Sequence, residues 1–86
     1  MINVSNINRD EYKVIIEQHG SSTTHTVTLD DKYYEKLTHK KIQKEGLIKR
    51  SFEFLLQREP KESILRKFDL KVISRYFPEY ERIISK

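Results

Sequence analysis

Between Tyr12 and Glu17 the apolar positions alternate, with Tyr12, Val14 and Ile16 at every second place. That two-residue period belongs to a strand with one buried face. Thr23 to Leu29, TTHTVTL, is a second run of high β-propensity. The link between them, His19-Gly20-Ser21-Ser22, is polar and carries a glycine able to take a positive φ. Two such runs around a short Gly-containing loop predict an antiparallel β-hairpin.

Past Leu29 the period lengthens. Asp30 and Asp31 both suit a helix N-cap, where a carboxylate accepts bonds from the first free amide N–H groups. The helix they open carries Tyr33, Tyr34 and Leu37 and is expected to end near Lys40–Ile42. A second helix is expected from about Gln43 to Arg58. Its apolar residues Leu47, Ile48, Phe52, Leu55 and Leu56 fall on one stripe at helical spacing. Pro60 ends it, because the residue before a proline avoids the helical region.

The tail breaks into short helical pieces, with Pro60 and Pro78 suited to first turns and Asp69 to an N-cap between pieces. Ile64, Phe68, Ile73 and Phe77 are expected to pack on the second helix near Phe52 and Leu55, leaving Tyr80 more exposed. Residues 1–10, polar and rich in Asn, read as a loosely attached start. The expected class is therefore α+β: one domain over residues 1–86, with an N-terminal hairpin, two main helices and a jointed helical tail.

Composition narrows the functional classes. An 86-residue chain that is 36% hydrophobic and 35% charged builds only a thin core. Cysteine is absent, so disulfides and thiolate metal sites are excluded. A second subunit is the remaining staple for so small a domain, and a homodimer is expected on that ground. No apolar run approaches the roughly 18 residues that span a bilayer. The N-terminus lacks the basic and apolar regions of a signal peptide, so the expectation is a cytoplasmic protein without membrane association.

Catalytic and metal chemistry find little support. His19, His25 and His39 are never three or four residues apart, and no HExxH pattern occurs. Ser21, Ser22, Thr23 and Thr24 lack any nucleophile-elbow context. Asp30/Asp31 is accounted for by capping. Two glycines, Gly20 and Gly46, cannot build a phosphate-cradling loop. A non-catalytic binding protein without cofactor or metal is the expectation.

The net charge of +4 is concentrated mid-chain. Through Asp31, two basic residues face five acidic ones; from Lys32 to Arg58, eight basic residues face three acidic ones. Such asymmetry is a hint of nucleic-acid binding.

Thr24-His-Thr-Val-Thr-Leu-Asp-Asp-Lys-Tyr-Tyr-Glu-Lys-Leu, followed by Ile42-Gln-Lys-Glu-Gly-Leu-Ile-Lys-Arg-Ser-Phe-Glu-Phe-Leu, resembles the ribbon-helix-helix family of DNA-binding proteins over residues 24–57. The resemblance implies a dimer whose paired strands enter the major groove of duplex DNA, as in regulators and antitoxins. Thr24, Thr26 and Thr28 would face the groove, with Val27 and Leu29 in the dimer core. Gln43 and Lys44 would open the second helix beside Lys40 and Lys41, with Lys49 and Arg50 adding phosphate contacts. Tyr12–Glu17 departs from that family's minimal pattern, since it offers the second strand a partner within its own chain. Residues 51–81, from Ser-Phe-Glu-Phe-Leu-Leu-Gln-Arg-Glu-Pro to Arg75-Tyr-Phe-Pro-Glu-Tyr, resemble the tail of a family of small bacterial proteins of unassigned activity. The alternative reading is a protein-interaction module, using the hairpin edge or the aromatic residues Phe68, Tyr76, Phe77 and Tyr80.

Overall fold

A computed structural model describes residues 1–85. Strands β1 (Ile2–Asn6), β2 (Glu11–Gln18) and β3 (Ser21–Thr28) are followed by helices α1 (Asp31–Thr38) and α2 (Lys44–Leu56). The tail holds a 3₁₀ turn at Lys61–Ser63, strand β4 (Lys67–Asp69), a second 3₁₀ turn at Leu70–Val72, and helices α3 (Ile73–Tyr76) and α4 (Tyr80–Ile84). The class is mixed α+β, and the strands form one sheet in the order β1-β2-β3-β4.

The hairpin is present and slightly longer than its apolar alternation. β2 and β3 pair antiparallel from Glu11↔Thr28 to Gln18↔Ser21. Only His19 and Gly20 lie between them, at φ 55° and 77°. Positive φ at both central positions gives the two-residue turn whose twist matches that of the flanking strands, and glycine takes it without a Cβ clash.

Two strands extend the hairpin beyond what the pattern predicts. Residues 1–10 are not loosely attached: β1 pairs antiparallel with β2, Ile2 opposite Ile16 and Val4 opposite Val14. Ile2 and Val4 pack against the core on the buried side, while Asn3 and Ser5 face out. The stretch between Pro60 and Asp69 is helical only over the 3₁₀ turn at Lys61–Ser63. It runs extended from Ile64, and Thr26 donates its N–H to the Arg66 carbonyl at 2.8 Å. Lys67–Asp69 then pairs parallel with Thr26–Thr28. The second edge of β3 supplies the backbone partners that a local helix would otherwise provide.

Every strand contributes one face to the core. Across the sheet the inward rows are Ile2–Ile16–Thr23, Val4–Val14–His25, and Tyr12–Val27–Phe68. The helices cover that face, and Leu47, Ile48, Phe52 and Leu55 of α2 are buried. Asp30 caps α1 as expected, its Oδ1 accepting the Tyr33 N–H at 2.8 Å. The helix stops earlier than expected, at Thr38, where His39 and Lys40 both turn left-handed at φ 52° and 62°. Asp69 accepts the Lys71 N–H and so caps the 3₁₀ turn.

The tail closes the core from below α2. Ile64 and Ile73 are buried, Phe68 lies 5.9 Å from Phe52 between ring centroids, and Phe77 meets Phe54 edge-on at 5.8 Å. Tyr80 departs from expectation: it is fully buried rather than exposed. Its hydroxyl lies 2.6 Å from that of Ser51, and its ring stands edge-on to Phe54. Ser51, a polar residue within the apolar stripe of α2, makes the burial possible by satisfying the phenol. Ser51 in turn donates to the Leu47 carbonyl.

Candidate functional site

The residues first singled out fall into three places. Thr24, Thr26 and Thr28 share the uncovered face of the sheet, since Thr23, His25 and Val27 take the buried one. Lys13 and Lys67 flank Thr26 in one row, but Glu11 and Asp69 flank Thr28 in the next. The threonine face is therefore electrically mixed. Over Thr26–Thr28, β3 also has β2 on one edge and β4 on the other, so an intermolecular ribbon there would first have to displace β4.

Two of the cations expected to join the threonines lie elsewhere. Lys49 and Arg50 are exposed on α2, which packs against the opposite face of the sheet. Lys44 pairs with Asp31, an ion pair that raises the lysine and lowers the carboxylate from their usual pKa values. Lys40 lies 3.9 Å from Glu35. Gln43 is the N-cap residue of α2 and makes no side-chain capping bond. A duplex approaching the threonines would thus not meet Lys49 and Arg50 of the same chain.

The aromatic set fares differently. Phe68, Tyr76 and Phe77 line one apolar groove of about 220 Å³, together with Leu55, Ile64, Leu65, Val72 and Ile73. Tyr80 is not part of it. The groove lies where α2 ends and the tail doubles back through β4 and α3. Leu65 is 48% exposed and Tyr76 68% exposed. Both are groove residues whose apolar surface the fold leaves uncovered. Glu59 and Ser63 supply the polar margin. Exposed Arg66 and Arg75, adjacent in sequence to Leu65 and Tyr76, make no ion pair among the described residues. A groove of this size is below the usual 300–1,000 Å³ of a small-molecule site. It suits one or two side chains.

Leu65 was absent from the sequence-based candidates. Its signal was faint: within Ile64-Leu65 only one residue of an extended pair can point inward, and Ile64 takes that place.

His25 does not line the groove but holds one of its residues from β3. It is fully buried, with Nδ1 2.8 Å from the Leu65 carbonyl, Nε2 2.8 Å from the Thr23 hydroxyl, and its ring against Phe52. Burial holds its pKa below the usual imidazole value; the Leu65 carbonyl opposes that shift and nearby Arg66 adds to it. Both ring nitrogens are engaged in structural bonds, so His25 positions the groove's Leu65 and does not face solvent.

No group of three or more His, Cys, Asp or Glu side chains among the described residues could hold a metal ion. No helix among them is long and apolar enough to cross a membrane. Compared with protein-family models, with curated proteins and with solved structures, the chain matches none.

Proposed function

We propose that this chain is a non-catalytic interaction module that takes an apolar side chain of a partner protein into the groove between α2, β4 and α3. One observation carries the reading. Leu65 and Tyr76 hold large apolar surfaces open beside a preformed apolar depression, in a chain with few apolar residues to spare. An aromatic or aliphatic anchor entering such a pocket, ringed by contacts that exclude water, is the common energetic centre of a protein interface. Arg66 and Arg75 favour a partner segment with acidic residues beside its anchor, since complementary charge speeds encounter and fixes register.

The test is chemical cross-linking in cell extract with the unaltered chain, the double variant Leu65→Ser/Tyr76→Ser, and the double variant Lys49→Ala/Arg50→Ala. A protein cross-linked to the first and third but lost with the second supports the groove. Loss with the lysine–arginine variant alone, together with salt-dependent binding to duplex DNA, would instead support the nucleic-acid reading.

A further inference from the structure

The outer edge of the sheet is β1, and its backbone can be read residue by residue. Met1 and Glu17 exchange both backbone bonds, Met1 N to Glu17 O at 2.6 Å and Glu17 N to Met1 O at 2.8 Å. Bonded and non-bonded pairs alternate along an antiparallel ladder. Asn3↔Ile15 and Ser5↔Lys13 are therefore the bonded pairs, and Ile7 N–H to Glu11 O at 2.9 Å continues the series. The N–H and C=O groups of Ile2, Val4 and Asn6 consequently point away from β2, toward open space.

Natural edge strands discourage pairing with charge, proline, a bulge or extreme shortness. Ile2-Asn3-Val4-Ser5-Asn6 has neither charge nor proline, and its register with β2 runs unbroken. The opposite edge of the sheet is protected: β4 is three residues long and carries Lys67 and Asp69. Beyond the reach of β4, Ser21–Thr24 of β3 also has no strand on its outer side, so β1 is the edge strand that is open along its whole length.

We infer that β1 pairs antiparallel with β1 of a second copy of this chain, about a two-fold axis at Val4, joining two four-stranded sheets into one of eight strands. The register follows from the free groups. Val4 pairs with Val4 of the second copy, and Ile2 with Asn6 of the second copy, so that all the outward N–H and C=O groups of the strand find partners. Asn3 then lies opposite Ser5 of the second copy on the uncovered face, an amide beside a hydroxyl with no charge in conflict.

A second observation selects this occupant. Met1 and Ile7, 77% and 52% exposed, are the large apolar side chains left uncovered at either end of β1. The same register sets Met1 of one copy opposite Ile7 of the other, on the same face of the joined sheet. The exposed apolar residues at the two ends of β1 thus cover each other. A foreign strand would have no reason to match that spacing; a second copy matches it by symmetry.

Sedimentation velocity of the full chain up to about 100 µM, with backbone amide exchange followed by NMR, tests the inference. The expected result is a species of twice the 10.4 kDa chain mass, with amide protection of Ile2, Val4 and Asn6 rising with concentration while Asn3 and Ser5 stay constant. Val4→Pro removes one outward N–H and leaves the β2 ladder intact. Asn3→Lys/Ser5→Lys sets like charges across the axis. Each is expected to weaken the dimer at least about tenfold. A chain that stays monomeric throughout overturns the inference. So does a dimer whose Ile2, Val4 and Asn6 amides exchange independently of concentration, a readout that needs no variant to fold.

Discussion

His25 reaches across forty residues of chain to the carbonyl of Leu65, 2.8 Å from its Nδ1. The bond ties the middle of β3 to the residue that forms one wall of the groove. Because the imidazole is buried and its pKa lies below 6.5, the unfolded chain takes up a proton before the folded one does. Well above pH 6.5 both states are neutral and His25 makes no pH-dependent contribution. Stability is expected to fall as pH drops from 6.5 toward the lower folded-state pKa, at no more than about 1.4 kcal/mol per pH unit. Urea midpoints at pH 7.5 and 5.5 check this. His25→Gln should flatten the profile over that window; an unchanged slope would assign the effect to other groups.

The Ser51–Tyr80 pair gives a graded series. Tyr80→Phe removes the phenol while Ser51 keeps its bond to the Leu47 carbonyl, so a loss of about 0.5–1.5 kcal/mol is expected. Tyr80→Ala empties a fully buried ring site and should cost about 3–5 kcal/mol. Denaturant melts of both variants read the difference. Equal losses would mean the ring contributes no more than its hydroxyl.

Groove residues should separate binding from folding. Leu65→Ser and Tyr76→Ser alter largely exposed side chains, and each is expected to change stability by less than about 0.5 kcal/mol. Ile64→Ser or Ile73→Ser, at neighbouring buried positions, should destabilise by several times as much, because a polar group enters the core unpaired. Thermal melts of the four variants would show whether the groove is held open by the fold or is part of its support.

Removing everything after Arg58 is expected to unfold or aggregate the chain. The cut removes β4 from the edge of β3 and takes Ile64, Leu70, Ile73, Tyr80 and Ile84 from the core. It also leaves the buried face of α2, including Phe52 and Phe54, without its cover. A truncated chain with native-like dispersion in its NMR spectrum would make the tail an appendage.

Local chemistry explains which parts of this fold were legible. Alternating Tyr12, Val14 and Ile16, and the aspartate before α1, act over a few residues and were read correctly. So was most of the stripe on α2, although Phe54, outside that stripe, is buried and Leu56, within it, is only partly so. β1 was missed because a strand with only Ile2 and Val4 on its inner face carries too little apolar signal against a background of asparagine. β4 was missed because three residues, Lys67-Phe68-Asp69, owe their extended form to the distant edge of β3 and to nothing nearby. Tyr80 was misplaced for a related reason: its burial depends on a serine 29 residues away. Of the candidate site, the aromatic density of the tail was visible, but which rings line a groove and which seal a core depends on how the tail folds back.

The parallel pairing of β4 with β3 also sets an order of events. β2 and β3 are joined by two residues and can meet as soon as both exist, whereas β4 must wait for two intervening helices to bring it alongside. Closing so long a loop is slow and entropically costly before its contacts form. During synthesis, therefore, His25 and the inner face of α2 stay open until the segment through Tyr80 and Ile84, which complete the core, has been made. Until that segment follows, a nascent chain displays the apolar face of its sheet and helices, an interval in which exposed core surface invites chaperone contact.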